Sequence, residues 1–194
     1  ITNIKIRAGY GLTGNQDAIS PYNSLSLMQP TGITTVNGQQ TVTYGYARNA
    51  NPDLKWESTA QTNVGVDMFL FNRLNLTFDW YLKKTSDLLY TYQVPNPPYL
   101  YSNILANVGD LTNKGVELTL GANLINHKDF TWDANLTLAH NKQTIDKLSN
   151  QVYQTDRILS GSLQGILGMS NRYSQVIEEG YPVGTFYGPH CEGI

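Results

Sequence analysis

Hydrophobic and polar residues alternate with a period of two along five stretches of this chain. Between Ser58 and Leu70 the even positions include Ala60, Val64, Val66, Met68 and Leu70, and the odd positions include Gln61, Asn63, Gly65 and Asp67. The next stretch sets Leu74, Leu76, Phe78, Trp80 and Leu82 against Arg73, Asn75, Thr77, Asp79, Tyr81 and Lys83. Successive side chains of a strand point to opposite faces, so each stretch is a strand with one apolar and one polar face. The pattern predicts strands over about 4–11, 56–70, 73–87, 114–124 and 130–141. Ile4, Ile6, Ala8 and Tyr10 carry the apolar face of the first; Val116, Leu118, Leu120 and Ala122 that of the fourth; Trp132, Ala134, Leu136 and Leu138 that of the fifth. Soluble domains use strands of about 5–6 residues. Most of these are longer, and about 9–11 residues is the length a tilted strand needs to cross a bilayer.

The connections alternate long and short. Loops are expected at 12–55, 88–113 and 142–194, and tight turns at 70–73 and 125–129. Pro95, Pro97 and Pro98 exclude a central strand from their part of the second loop. The last segment is weakly patterned and reads mostly as loop, with room for one short helix or hairpin. Antiparallel pairing puts every short turn at one end and every long loop at the other. Outer-membrane barrels have this asymmetry, with short periplasmic turns and long extracellular loops. Phe69, Phe71, Phe130 and Trp132 gather at the short-turn end, and Trp56, Tyr90 and Tyr92 at the other, as two aromatic girdles would.

The expected fold class is therefore all-β: about five long amphipathic strands, an antiparallel portion of a larger transmembrane β-barrel with long extracellular loops. The even positions Val64, Val66, Leu76, Phe78, Trp80, Leu118, Leu120 and Leu136 are expected to face lipid. The odd positions Asp67, Asp79, Glu117 and Asp133 are expected to face the lumen. A soluble β-sandwich also alternates, and the odd-face charges would suit its solvent side. Its turns, however, recur every 8–12 residues or so, a poor fit to two hairpins of this length.

Charge narrows the partners. The chain is 14% charged with a net charge of −2, against about 25% charged residues in soluble domains. It has no Lys/Arg cluster, which argues against nucleic acid. No run of about 18 apolar residues is present, so no transmembrane helix is expected, and this does not bear on a barrel. The single cysteine, Cys191, excludes an internal disulfide. The chain begins at Ile1 without Met, and a piece of a longer protein is expected.

Catalytic chemistry finds no support. His127, His140 and His190 share no ligand spacing, and the adjacent His190 and Cys191 do not make a metal site. No nucleophile elbow, metalloprotease helix or P-loop occurs, so neither an enzyme nor a cofactor is expected. Asp67, Asp79, Glu117 and Asp133 read better as a lumen wall than as a glycosidase pair. The sequons at Asn75 and Asn135 lie in mid-strand and are discounted as acceptors. Gly9, Gly11, Gly65, Gly115 and Gly121 fall on the odd face, for plug packing or for barrel curvature. Tyr90, Tyr92, Tyr99 and Tyr101 are candidates for stacking on substrate rings, and packing of a proline-stiffened loop accounts for them equally.

Four ordered segments carry a family resemblance. Asn51-Pro52-Asp53-Leu54-Lys55-Trp56-Glu57 resembles the motif that precedes a barrel strand in SusC/RagA-type TonB-dependent transporters. Arg7 to Asn15, Asn113 to Leu118 and Gly180 to Gly188 are similar to three other segments of that family, in the same order. Where the family continues Asp-Gly-Ile, this chain has Glu192-Gly193-Ile194, and His190-Cys191 is a local departure. The resemblance implies a plugged barrel of about 22 strands, of which residues 1–194 would supply about five, with the plug and the remaining strands elsewhere. It also implies TonB-dependent import of an oligosaccharide, glycan or peptide across the outer membrane of Bacteroidetes-type bacteria. The partners implied are a SusD-like surface lipoprotein and, through a part absent here, TonB. Two alternatives are a soluble or surface-tethered glycan-binding β-sheet module and an unplugged porin.

Overall fold

In a computed structural model, residues 3–149, 152–165 and 170–189 are described. Ten strands form three separate sheets, and the described residues include no helix. The main sheet is antiparallel, in the order β1 (Asn3–Asn15), β4 (Glu57–Leu70), β5 (Leu74–Gln93), β6 (Asn103–His127) and β7 (Phe130–Lys147). It does not close, and β1 and β7 are its edges. All five expected strands are present and adjacent in chain order. The apolar even positions align across them in rows: Val64, Trp80 and Val116; Val66, Phe78, Leu118 and Leu138; Met68, Leu76, Leu120 and Leu136. No second layer covers this face among the described residues, and Val64, Phe78 and Leu136 are 40%, 41% and 50% exposed.

The strands outrun the sequence pattern. β5 continues to Gln93 and β6 starts at Asn103, so the expected loop 88–113 shrinks to residues 94–102, which hold all three prolines. β7 runs on to Lys147. The turn expected at 125–129 narrows to Lys128 and Asp129, because a bulge between Asn123 and Ile125 shifts β6 by one residue and its strand resumes to His127. An extra residue reverses the alternation beyond it. Ile125 therefore pairs with Trp132, and the even-only rule stops there. At the other short turn Phe71 and Asn72 both take positive φ, 53° and 54°, the two-residue geometry whose twist suits a hairpin.

Two expected loops hold strands of their own. Within 12–55 lies the hairpin β2 (Met28–Val36) and β3 (Gln39–Tyr46), turned by Asn37 and Gly38, both at positive φ. Asn-Gly is a strong hairpin signal, and here it was hidden in a Thr/Gln/Gly-rich stretch. Within 142–194 lie β8 (Arg157–Ser162), β9 (Tyr173–Glu178) and β10 (Thr185–Phe186), paired in the order β10-β9-β8. These strands are too short for their alternation to show. His190, Cys191 and the segment Glu192-Gly193-Ile194 lie outside the described residues.

The loop end is set by a pair of bulges. Between Thr85 and Leu88 β5 carries one extra residue, and next to it β6 carries one between Asn107 and Gly109. The two strands stay matched to each other, but each reverses its phase. Burial on β6 records the switch: Ile104, Ala106 and Val108 are buried on even numbers, and Gly109 and Gly115 on odd ones. Tyr92 packs with Ile104, Ala106 and Val108 as a small core above the bulges. The expected girdle therefore loses two members. Tyr90 and Tyr92 lie beyond the phase reversal and do not extend the apolar even face.

The Asn51–Glu57 segment holds this bulged region. Asn51 is buried; its amide donates to the Leu105 carbonyl at 2.9 Å and its Oδ1 accepts from the Asp53 N–H at 3.2 Å. Lys55 pairs with Asp87 at 2.8 Å, and its backbone exchanges hydrogen bonds with the Asn107 amide. Asp87 sits in the bulge at φ 61°, and its carbonyl accepts a second bond from Asn107. Glu57 accepts from the Leu89 N–H at 2.9 Å and from Asn15 at 3.0 Å. A bulge leaves ladder groups unpaired, and buried backbone groups must find partners. The motif side chains satisfy them. Replacing Asn51 by Ala leaves the Leu105 carbonyl without its donor, so the intact protein should lose about 1–3 kcal/mol of stability. Urea unfolding in detergent micelles measures it, with an unshifted midpoint as the contrary result.

Candidate functional site

On the odd face, Arg7, Gly65, Asp79 and Glu117 lie in one register row across β1, β4, β5 and β6. The Arg7 guanidinium takes Asp67 through two bonds, Nε to Oδ2 at 2.9 Å and Nη2 to Oδ1 at 3.1 Å. Nη2 also reaches both oxygens of Asp79, at 2.9 and 3.1 Å. Thr77 donates to Asp67 at 3.1 Å. Arg7 must cross the whole width of β4 to do this, and Gly65 is the residue it crosses. A Cβ on Gly65 would lie 2.2 Å from Asp79 Oδ1 and 2.7 Å from Arg7 Nη2. Gly115 is overlain in the same way by the Tyr81 hydroxyl, 2.7 Å from the position of a Cβ, and Gly9 by Asn63. These odd-face glycines thus make room for long polar side chains of the neighbouring strand, a use that period and composition do not reveal. Asp133 accepts from Asn123 at 2.8 Å. Glu117 stands exposed beside Asp79.

At the loop end, a cleft of about 880 Å³ opens between the β5–β6 tip and the segment that leads into β8. Tyr90, Tyr92 and Tyr99 line it, joined by Tyr153, Arg157 and Tyr173. Three of the four loop tyrosines expected as candidates therefore come together. Tyr101 does not: its hydroxyl donates to the Tyr46 carbonyl and its N–H to Asn49, which ties the tip to the strand before the motif segment. Tyr92 is a wall rather than a free stacking face. It is 4% exposed, stacks on Tyr153 at 5.7 Å between centroids, meets Tyr90 edge-on at 5.6 Å, and donates its hydroxyl to the Leu148 carbonyl at 3.1 Å. Burial pushes the Tyr92 phenol up to about 12, and the nearby Tyr90 adds to this. Burial raises Tyr153 as well. Tyr153, Arg157 and Tyr173 were not legible as candidates, because they fall in the weakly patterned last segment. The Gly180-Tyr181 part of that segment anchors it to β7: Gly180 donates to the Ile145 carbonyl at 2.8 Å, and Ile145 to that of Tyr181 at 3.0 Å. The described residues contain no cluster of ligands for a metal ion.

Residues 1–189 match the family described as TonB dependent receptor-like, beta-barrel. The chain belongs to the TonB-dependent receptor β-barrel family. It is 37% identical over its whole length to TonB-dependent receptor P3 of Formosa agariphila, covering 19% of that protein. It is 30% identical over 96% of its length to TonB-dependent receptor SusC of Bacteroides thetaiotaomicron, again covering 19%. The RagAB peptide importer in its open-open state superposes with a TM-score of 0.73 at 27% identity, over 93% of this chain and 18% of that one. The chain thus spans about a fifth of the length of the relatives it matches. The SusC/RagA-type resemblance and the all-β barrel fold are established by these matches, and the family is one of outer-membrane transporters rather than enzymes. A sandwich-type binding module is set aside on the same ground.

Two outcomes follow from this TonB-dependent receptor segment. Gly65→Ala should break the reach of Arg7 to Asp79 and lower the temperature at which the folded barrel loses its heat-modifiable gel mobility. Gly11→Ala, where a Cβ meets nothing within 4 Å, should leave that temperature unchanged. Equal shifts would refute the role assigned to Gly65. For Tyr92 the raised pKa means that the fold favours the neutral phenol. Its stabilising contribution is complete below pH 10, the ordinary value, and is lost as pH rises through about 12. Tyrosinate absorbance at 295 nm checks this: the difference between wild type and Tyr92→Phe should appear near pH 12, not near 10.

Proposed function

We propose that this chain is one wall segment of the barrel of a nutrient importer, working in a bacterial outer membrane. Residues 1–194 are read as part of the barrel domain, with the plug and the other strands supplied by the rest of a longer protein. Between the bulges at Thr85–Leu88 and Asn123–Ile125, even positions face lipid and odd positions face the lumen. The observation that carries this orientation is the Arg7–Asp67–Asp79 network. A charged group facing lipid near the bilayer midplane is destabilising, by about 2–4 kcal/mol for Arg or Lys. A hydrated lumen or a plug surface is compatible with all three groups. The opposite face carries Val66, Phe78, Leu118 and Leu138 in one uncharged row, and its lysines, Lys84, Lys114 and Lys142, lie nearer the loop end.

Two relatives support the cargo reading: one is a peptide importer by description, and one is the receptor SusC. An oligosaccharide, glycan or peptide is proposed here. Import would be driven through TonB by a part of the protein outside this chain. A SusD-like surface lipoprotein would cover the loop end, as the two-component name of the RagAB structures suggests. The transport step binds and moves its cargo and makes or breaks no covalent bond in it.

Single-cysteine labelling in the intact receptor tests the orientation. Cysteines at Asp67, Thr77 and Thr119 should react with a water-soluble maleimide, and those at Val66, Leu76, Leu118 and Leu136 should be protected by lipid. The reverse pattern would overturn the assignment. Import is tested in the native host: growth on the cargo should stop when either the receptor or TonB is deleted, and growth that persists without TonB would sink the transport reading.

A further inference from the structure

We propose that the tyrosine cleft at the loop end is a subsite for an oligosaccharide carrying acidic groups, uronate or sulfate. The inference rests on the importer reading and names the cargo class within it. A volume of about 880 Å³ falls in the range of ligand pockets, about 300–1,000 Å³. Five of its described lining residues are tyrosines, and the others include Thr91, Gln93, Gln154 and Thr155. Sugar rings offer flat C–H faces for aromatic rings and many hydroxyls for amides and phenols, which is what this lining supplies. Tyr90 and Tyr173 are 39% and 38% exposed, so their rings are open to a ligand. Tyr92 and Tyr153 are stacked on each other behind them and fix the wall.

The charge of the lining selects among sugars. Arg157 is the one charged residue among the described lining residues, and no Asp, Glu or Lys accompanies it. The guanidinium rests over the Tyr187 ring at 5.4 Å and makes no ion pair with a carboxylate of the described residues. Stacked in this way it keeps its donor edge for a ligand oxygen, and Arg binds carboxylate and sulfate-like groups in a two-pronged fashion. Asp156 precedes it in the chain, Glu178 stands opposite it in the β8–β9 register and Asp53 acts electrostatically on Tyr153, but none of the three lines the cleft. A chain with net charge −2 thus presents at its loop end a recess whose described lining holds one cation and no carboxylate. A peptide would more simply add to a free strand edge, whereas this recess offers side chains.

The test uses the intact receptor purified in detergent, with tetragalacturonate, neutral maltotetraose and an acidic tetrapeptide as probes in titration calorimetry. Tetragalacturonate should bind, maltotetraose should bind at least tenfold more weakly, and the peptide should not compete. Arg157→Gln should remove most of the preference for the acidic sugar, and Tyr90→Ala and Tyr173→Ala should weaken both sugars. Unchanged heat-modifiable mobility shows that each variant is folded. Equal binding of the two sugars, preference for the peptide, no binding by any probe, or an Arg157→Gln receptor that keeps its preference would each overturn the proposal. TonB-dependent growth is scored separately. Growth that needs TonB with no acidic-sugar binding defeats the cleft proposal alone, and acidic-sugar binding without TonB dependence defeats the importer reading.

Discussion

The backbone register of the five-stranded ladder is the constraint on which everything else rests. Because side chains repeat every two residues, a slip of one residue would carry every apolar side chain to the polar face. The register instead holds whole rows across four or five strands. Val66 stands beside Phe78 and Leu118, and Arg7 stands beside Gly65 and Asp79. The ionic network depends on this alignment twice: it needs Asp79 two strands away at the same height, and it needs nothing on the strand between. A glycine at position 65 meets both conditions. In the usual account glycine weakens a strand. Here its absent side chain lets one cation join two carboxylates on two further strands.

The same ladder is deliberately broken at the loop end. Two adjacent bulges, one on each strand, leave β5 and β6 paired but turn their even positions to the other face. A single bulge would have mismatched the strands above it. The cost is a set of backbone groups without ladder partners. Side chains take up that role: Asn107 of β6 for the Asp87 carbonyl, and from outside the hairpin Glu57 for the Leu89 N–H and Asn51 for the Leu105 carbonyl. The segment Asn51–Glu57 is thus a fastening that allows a long strand pair to reverse its faces above the apolar band. Its polar residues are fixed by the backbone atoms they serve, which gives that run a physical reason to be a recognisable motif.

How much of this was legible follows from what repeats. The alternation located all five main strands, the hairpin turn at Phe71-Asn72, and the polarity of each face, because each depends on many residues in phase. Prolines correctly marked the tip at 94–102. The places where the reading stopped short are places where phase is lost. The expected fourth strand ends at Leu124 because the bulge there sets Leu124 and Ile125 side by side, and the expected third strand ends at 87 because β5 bulges between Thr85 and Leu88; the expected start at 114 falls short of that bulge because Asp110 to Asn113 show no alternation. β2 and β3 alternate among threonine, glutamine and glycine, whose contrast is low. Strands of six residues or two, as in β8, β9 and β10, are too short to show a period. The cleft inherits this limit: the half built on β5 and the tip after it was visible as Tyr90, Tyr92 and Tyr99, and the half built on 153–173 was not.

The phase reversal also explains why a tyrosine-rich strand end can serve two purposes. On an unbulged β5, Tyr90 and Tyr92 would continue the apolar face of Phe78 and Trp80. With one extra residue they turn to the face that carries Asp79 and meet Tyr153 and Tyr173. Tyr92 is then buried, with its phenol raised by that burial and its hydroxyl bonded to the Leu148 carbonyl. Tyr90, two residues earlier, remains 39% exposed. A buried aromatic that fixes the wall next to an exposed one that faces the solvent is how a site is preorganised: the ordering cost is met on folding rather than on binding. The bulge converts residues that would have continued the apolar face into the rigid side of a recess, and the recess exists only because the ladder changes phase beneath it.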